Sequence, residues 1–273
     1  MRQLPGLDTF FEKLKSAIER SGTEEQYTAK WGLGSLQDIY TLLRNNQQGG
    51  YDSHSHCMLS TEIRKSVLDI GPGMGFCVFL LAELYDEVYV AEPDQENCGL
   101  LEKIAHQYTT RNGKNAGDIV KCINAGLNIT EDAVRYWEFK KKMLELKKIK
   151  GGVLNYTVKG ASELHEVFDH MVDRVYLHKV LSSLSISNSI YEIINTLVAN
   201  SIEPSGVISW AEPSYVFGDI LQDTDLQVLV DKMRENTSVQ RIDTQEYNID
   251  LVTDTTAEIT KWNLITIVKN GKQ

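Results

Sequence analysis

Apolar residues follow a helical spacing over the first part of the chain. One face consists of residues three and four positions apart, namely Leu7, Phe10, Phe11, Leu14, Ala17 and Ile18. Ser35 is placed to cap a second helix, whose apolar positions are Leu36, Ile39, Tyr40 and Leu43. These patterns predict helices over residues 7–45. The stretch NNQQGG at 45–50 has the composition of a loop or hinge, so residues 1–50 are expected to form an N-terminal helical cap.

Further along the chain, short apolar runs alternate with helical patterns. The segment SVLDIGPGMGFCVFLLAEL reads as a strand, a glycine turn and a helix, and EVYVAEP reads as a second strand that stops at a proline. More strands are predicted at 153–160, 174–181 and 206–213, and helices at 189–200 and around 219–235. Two last strands, near 247–252 and 262–269, are close enough in sequence to pair as a hairpin.

This alternation predicts an α/β fold with a mainly parallel sheet and helices on both faces. About sixty residues separate the second and third predicted strands, where a single helix would be enough to connect them. We therefore expect a helical insertion between these strands, at about 95–150. The expected organisation is the cap at 1–50 followed by one domain at 51–273.

Composition and charge restrict the class of protein and the partners it can have. The 273 residues are 42% hydrophobic and 24% charged, which is typical of a globular protein with a full core. The chain has no run of about 18 uncharged apolar residues and no N-terminal signal pattern, so no membrane segment is expected. The four cysteines form no CxxC pair, which favours free thiols in a reducing, cytoplasmic setting. The formal net charge of −10 opposes nucleic-acid binding.

A glycine-rich turn directly follows the first predicted strand and opens a helix. It reads Asp69-Ile70-Gly71-Pro72-Gly73-Met74-Gly75. Glycines let the chain turn sharply and let the backbone approach a ligand with no side chain in between. Glu92 ends the next strand about 20 residues later, where a carboxylate can accept two hydrogen bonds from a ribose diol. Strand, turn, helix and acid together predict a site for a nucleotide cofactor.

Two details of the turn argue against a dinucleotide. The dinucleotide fingerprint GxGxxG has its third glycine where Phe76 stands, whereas the third glycine here comes one residue earlier, at Gly75. Asp69 adds a carboxylate that would repel a pyrophosphate but suits a cationic ligand. S-adenosylmethionine, which has a sulfonium and an ammonium group and no phosphate, fits this charge pattern.

The motifs resemble those of the class I S-adenosylmethionine-dependent methyltransferases. VLDIGPGMG resembles the family's first motif, and VYVAEPD is similar to the segment that ends in its ribose-binding acid. KGASEL, DRVYLHKVLSSL and GVISWAEP look like the family's third, fourth and fifth strand segments, and the likeness covers roughly residues 60–270. It implies a Rossmann-like sheet of seven strands with the last one antiparallel. It also implies S-adenosylmethionine as the cofactor and S-adenosylhomocysteine as the product.

The resemblance assigns cofactor-binding roles to residues near the first two strands. The family's backbone contacts fall on Gly71 and Gly73, Asp69 and Gly75 belong to the same motif, and the ribose acid is Glu92. Further roles fall on residues near the ends of later strands. Pro93 would lie along the adenine, Ala161 and Ser162 would edge it, and Leu177 and His178 would face the methionine part. The acid that the family often carries beside the adenine amine is absent at Ala161 and Ser162.

His178 can be interpreted in two ways. It is a candidate general base, because histidine exchanges protons near neutral pH, or it simply lines the pocket. His54 and His56 have no third ligand placed near them, so no metal site is expected.

The acceptor is narrowed by what the sequence lacks. Enzymes that methylate base amines or glutamine amides carry an N-P-P-aromatic motif after the fourth strand, where this chain reads LHKVLSSL. A small molecule or peptide remains, with an oxygen atom favoured as acceptor. A carboxylate acceptor, such as a peptide C-terminus in a natural-product pathway, would need an arginine clamp. Tyr27, Tyr40 and Arg44 in the cap are candidate substrate contacts, with packing of the cap layer as the alternative.

Three other functions stay open on the sequence. They are N-methylation of a small molecule, a catalytically silent partner subunit with the same fold, and, less favoured because of Phe76, an NAD(P)-dependent oxidoreductase. We expect a monomer or homodimer.

Overall fold

The computed structural model describes residues 4–44, 51, 65–72, 75–92, 94–123, 171–178, 189–213, 226–252 and 257–271. Three helices come first: α1 (Leu7–Ser21), α2 (Glu24–Trp31) and α3 (Leu36–Arg44). Strands and helices then follow in the order β1 (Ser66–Ile70), α4 (Phe76–Leu84), β2 (Glu87–Ala91), α5 (Gln95–Ala105), a 3-10 turn (Ala116–Asp118), β3 (Val120–Ile123), β4 (Val172–His178), α6 (Ser189–Asn200), β5 (Ile202–Pro213), α7 (Leu226–Arg234), β6 (Val239–Val252) and β7 (Ala257–Lys269). No helix in these ranges is both long and apolar enough to cross a membrane.

The strands form one seven-stranded sheet in the order β3-β2-β1-β4-β5-β7-β6. Strands β1 to β5 pair in parallel with their neighbours, whereas β7 is antiparallel to both β5 and β6. The mainly parallel sheet with an antiparallel last strand is confirmed, and the predicted C-terminal hairpin is the β6–β7 pair. Ile70 lies level with Ala91 on one side and with Leu177 on the other. The carboxyl ends of β1, β2 and β4 therefore meet at one edge of the sheet.

Helices cover the two faces of the sheet with separate apolar clusters. On one face, α1 to α5 pack against strand residues such as Val67, Val90 and Tyr176. On the other face, α6 and α7 pack against residues such as Leu68 and Leu177. Successive residues of a strand point to opposite faces, so β1 and β4 contribute alternately to both clusters.

The N-terminal segment forms three helices, where the apolar pattern indicated two. Gly22 and Gly32, each with φ 66°, end α1 and α2 in the left-handed conformation that glycine adopts without strain. The expected cap of the last helix is confirmed, because the Ser35 hydroxyl accepts a hydrogen bond from the Asp38 backbone N–H at 3.2 Å. The apolar faces of α1 and α3 lie in the same cluster as α4 and α5.

The predicted position of the third strand is wrong. The strand beside β2 is Val120–Ile123, in parallel register with Val88–Ala91, whereas the prediction at 153–160 lies outside the described residues. Residues 92–119 between β2 and β3 contain α5 and one 3-10 turn, which is an ordinary crossover. Among the strands that the structure describes, the long interval along the chain therefore lies between β3 and β4, not between β2 and β3. Within the predicted insertion at 95–150, only residues 95–123 are described.

Candidate functional site

The glycine turn begins where β1 reaches the edge of the sheet. Gly71 has φ 66°, a conformation that favours glycine. Its backbone N–H donates to the carbonyl of Ala91 at 3.0 Å. This bond ties the turn to the end of β2, so the two segments that carry the predicted acids are held together by backbone.

Asp69 is a buried carboxylate immediately before this turn. It is 1% exposed, and the Cys77 thiol of α4 donates to its Oδ2 at 3.1 Å. Burial raises the pKa of Asp69 to about 7, the Cys77 hydrogen bond opposes this, and the charge of Glu92 adds to it. A carboxylate removed from water in this way is stabilised in its charged form by a cation or by further hydrogen-bond donors.

Glu92 directly follows β2, where the sequence predicts the ribose acid. It is 5% exposed, and its Oε1 accepts a hydrogen bond from the Asp94 backbone N–H at 3.0 Å. Burial raises the pKa of Glu92 to about 7, and the Asp94 backbone hydrogen bond opposes the increase. Asp94 in turn caps α5 by accepting from Glu96 N at 2.8 Å and Asn97 N at 3.3 Å. This N-cap fixes the start of α5 and thereby the position of the backbone next to Glu92.

Gly75 has a packing reason to be glycine. Its φ is 77°, and a Cβ at this position would lie 2.0 Å from Leu101 Cδ2 of α5. The residue lets α4 begin close against α5, so the third glycine of the motif serves helix packing in this structure.

Strand β4 brings Leu177 and His178 to the same edge with opposite orientations. Leu177 is buried in the cluster with α6 and α7. His178 is half-buried, and its ring stacks near Tyr176 (centroids 6.1 Å apart) and Trp262 (5.2 Å apart). Of the two, His178 has its side chain on the same face of the sheet as Asp69 and Tyr176, according to the alternation along the strands.

Helix α2 packs onto the first turn of α4, directly beside the glycine turn. The rings of Trp31 and Phe76 are 6.1 Å apart, and those of Tyr27 and Trp31 are 6.5 Å apart. Lys30 on the same helix forms ion pairs with Asp94 at 3.2 Å and Glu96 at 3.4 Å. One helix of the N-terminal segment therefore contacts both segments that carry the buried acids.

Tyr40 and Arg44 are placed differently from Tyr27. The Tyr40 hydroxyl donates to Asp8 of α1, and its ring packs on Phe11, 4.9 Å between centroids. Arg44 is exposed at the end of α3. Among the described residues, no contact joins either side chain to Asp69 or Glu92, whereas Tyr27 packs on Trp31, which contacts the first residue of α4.

Several predicted residues lie outside the described part of the chain: Gly73, Pro93, Ala161, Ser162, His54 and His56. The roles of Ala161 and Ser162 depended on a third strand ending near 160, and β3 ends at Ile123. Because both residues lie outside the described part of the chain, their roles beside the adenine stay predictions.

Cys77, Asp94 and Lys30 are site residues that the sequence reasoning missed. Asp94 carried a usable signal, because an acidic residue just before a helix is a common N-cap. Cys77 and Lys30 reach the site through tertiary packing, which leaves no local pattern.

The group that the resemblance implies fits these residues. The site has two buried carboxylates at adjacent strand ends, around a turn whose glycine backbone can approach a ligand. S-adenosylmethionine brings a sulfonium, an ammonium group and a ribose diol, which suit these two acceptor carboxylates.

Comparisons with known proteins find similar solved structures at low sequence identity. No family model and no curated protein matches the chain. The N-methyltransferase NodS from Bradyrhizobium japonicum WM9, in complex with S-adenosyl-l-homocysteine, is 11% identical over 83% of this chain and 85% of that one, with a TM-score of 0.45. Precorrin 8w decarboxylase of Methanobacterium thermoautotrophicum is 15% identical over 82% and 91%, with a TM-score of 0.42.

A structure concerned with the conversion of a disulfide bond into a thioacetal group during echinomycin biosynthesis is 13% identical. The similarity covers 81% of this chain and 82% of that chain, with a TM-score of 0.48. At TM-scores below 0.5 these likenesses carry no argument about the fold or the activity of this chain.

Proposed function

We propose that this chain is an S-adenosylmethionine-dependent methyltransferase that acts on a small molecule or a peptide. The observation that carries the proposal is the pair of buried carboxylates, Asp69 and Glu92, at the ends of adjacent parallel strands around the Gly71 turn. The sequence motifs at these positions and the seven-stranded order with an antiparallel β7 support the same family.

Each residue has a distinct part in holding the cofactor. Glu92 accepts the ribose hydroxyls, Asp69 compensates the positive charge of the amino-acid end, and the Gly71 backbone permits close approach. When bound, the cofactor supplies a methyl group already activated by a sulfonium. The chain then has to align the acceptor, exclude water and, for a hydroxyl acceptor, accept a proton.

Oxygen is the acceptor atom that we favour, including a carboxylate such as a peptide C-terminus. His178 is the candidate that would receive a proton from a hydroxyl, since it is half-buried at the carboxyl edge of β4 on the Asp69 face. A general base contributes about 10²–10⁴-fold to a rate. His178→Gln should lower kcat by this range for a hydroxyl acceptor and leave a carboxylate acceptor unaffected.

Calorimetry with S-adenosylhomocysteine in a chelator-treated sample tests the proposal. Saturable binding is expected, together with stabilisation of about 2.7 kcal/mol at a hundredfold excess over Kd. Glu92→Gln keeps the shape of the side chain but removes its charge, and should weaken binding by roughly 1.5–3 kcal/mol. If S-adenosylhomocysteine gives neither heat nor thermal shift and NADH binds instead, the function belongs to the oxidoreductase class.

A catalytically silent subunit would also bind the product, so turnover is a separate test. Transfer of a labelled methyl group to panels of carboxylic acids, alcohols and amines distinguishes O- from N-methylation. The expected result is label in the acid or alcohol panel. Label in the amine panel alone would make the chain an N-methyltransferase, and binding without label in any panel favours the silent subunit.

A further inference from the structure

Two polar atoms in α2 are buried without a hydrogen-bond partner among the described residues. They are the hydroxyl of Tyr27 and the indole N–H of Trp31, which lie on one face of the helix because they are four residues apart. Tyr27 is 1% exposed. A buried donor with no partner costs about 1–3 kcal/mol, and such groups are rare in native proteins. Their occurrence as a pair indicates that both are reserved for something that the protein binds.

The position of the pair relates it to the candidate cofactor site. Tyr27 packs against Trp31, and Trp31 packs against Phe76, the first residue of α4. The next residue of α4, Cys77, donates its thiol to the Asp69 carboxylate. Trp31 of α2 and Asp69 of β1 thus contact the first two residues of α4, which directly follow the glycine turn.

The chemistry of the pair specifies the charge of its ligand. An indole N–H can only donate. Burial raises the pKa of the Tyr27 hydroxyl, the nearby Trp31 N–H, which does not reach it with hydrogen-bond geometry, opposes the increase, and Cys77 adds to it. The phenol therefore stays protonated and can donate. Two neutral donors next to a carboxylate acceptor are the complement of a zwitterion, with its anion on the donors and its cation on the acid.

We infer that Tyr27 and Trp31 bind the α-carboxylate of the cofactor's amino-acid end, while Asp69 binds its α-ammonium group. The inference rests on the proposed function and deepens it, because it makes the N-terminal segment part of the cofactor site. It also gives Tyr27 a role different from the acceptor contact that the sequence suggests.

Three ligands separate the parts of the cofactor in a calorimetric test. S-adenosylhomocysteine has the whole amino-acid end, its decarboxylated analogue lacks only the carboxylate, and 5′-methylthioadenosine lacks the amino-acid end entirely. Tyr27→Phe and Trp31→Phe should weaken S-adenosylhomocysteine by about ten- to a hundredfold, the usual effect of one hydrogen bond to a charged group. Both variants should bind the other two ligands like the wild type. Tyr191→Phe in α6, on the opposite face of the sheet, is the matched control and should change none of the three affinities.

A thermal melt without ligand separates binding from packing. Tyr27→Phe removes a buried hydroxyl that has no partner, so its Tm should equal or exceed that of the wild type. The wild type provides a second test that needs no variant, since it should bind the decarboxylated analogue at least tenfold more weakly than S-adenosylhomocysteine.

Equal losses for all three ligands in Tyr27→Phe would make its role structural and overturn the inference. Unchanged affinities in both variants, or a wild type that does not discriminate the decarboxylated analogue, would also overturn it while the proposed function stands. A wild type that binds none of the three ligands contradicts the proposed function itself.

Discussion

At the scale of single residues, Asp69 and Glu92 have a titration behaviour that can be measured. Burial raises the pKa of each to about 7, from ordinary values of 3.8 and 4.5. Because the folded-state values are raised, these acids contribute stability below about pH 4 that is lost as the pH rises towards 7. A cationic ligand favours the ionised form, so its binding has the opposite dependence on pH.

We predict that affinity for S-adenosylhomocysteine increases between pH 6 and pH 8. If binding requires one of these acids to be ionised, the fraction of the protein that can bind increases about tenfold between pH 6 and pH 8. Calorimetry across the range, in buffers of different ionisation enthalpy, should also detect protons released on binding near pH 6.5. Glu92→Gln removes one of the two groups and should flatten the profile. A profile that is flat in the wild type would show that both acids ionise at their ordinary pH.

Gly75 provides a second prediction at this scale. Gly75→Ala forces φ 77° on an alanine and places its Cβ against Leu101. We expect a loss of about 2–4 kcal/mol in the free energy of unfolding, from left-handed strain and overpacking together. Gly99→Ala in α5 is the matched control, because nothing lies within 4 Å of its Cβ. It should stabilise the protein by about 0.5–1 kcal/mol, since alanine is the better helix former. Urea unfolding measures both, and equal values would contradict the packing role of Gly75.

At the scale of elements, one buried carboxylate connects α1, α4 and the loop after α5. Glu83 in α4 accepts from Lys13 Nζ at 3.1 Å, Tyr108 OH at 2.8 Å and Arg111 N at 2.7 Å. Its side chain is 1% exposed, whereas that of Lys13 is 30% exposed. Three donors in a buried setting make this group a major connection between α1 and the body of the fold.

We predict that Glu83→Ala lowers the free energy of unfolding by about 3–5 kcal/mol, as expected when one partner of a buried network is removed. Denaturant unfolding followed by circular dichroism measures the change. Lys114→Ala breaks an exposed ion pair with Asp86 at 2.9 Å and should cost no more than about 1 kcal/mol. A similar small cost for Glu83→Ala would mean that α1 is held by its apolar face alone.

At the scale of the whole molecule, the N-terminal helices belong to the main core. Phe10, Leu14 and Ile18 are fully buried in the same cluster as Phe79 of α4 and Tyr108. The boundary expected near residue 50 therefore divides the sequence but not the hydrophobic core, because residues on both sides of it pack in one cluster.

We predict that α1 and α4 open in a single cooperative event. Native-state hydrogen exchange should give their slowest amides the same opening free energy, because neither helix can leave without exposing the shared cluster. Amides of the C-terminal β6–β7 hairpin, at the edge of the sheet, are measured in the same experiment as an internal reference for the opening free energies. Exchange in α1 at a distinctly lower free energy than in α4 would restore the description of residues 1–50 as a separately opening cap.

The core strands and the first site residues could be predicted because their signals are local. The apolar run of β1 and the glycines after it are contiguous in sequence, and Glu92 follows at the end of the next strand. A strand buried on both faces is recognised from its own apolar residues. Asp69 and Glu92 are found where expected for the same reason, since parallel strands that start together end at the same edge.

The third strand could not be located in this way. Val120–Ile123 has four residues, two of them polar or half-buried, and lies at the edge of the sheet. Such a segment is a strand because β2 pairs with it. The two paired segments are about thirty residues apart, and neither sequence shows which segment its partner is. The segment at 153–160, with Val153, Thr157 and Val158, has the stronger local strand propensity, which is why the sequence predicts the third strand there.

The sequence by itself determined the alternation of strands and helices, the class of fold and the two acids at the candidate cofactor site, because each depends on side chains that are neighbours along the chain. Only the tertiary structure decided which strand lies beside β2, that Gly75 serves the packing of α4 on α5, and that α2 packs on the start of α4 through Trp31. These facts depend on contacts between distant segments, whose geometry is set by how the apolar faces of all the helices share one core.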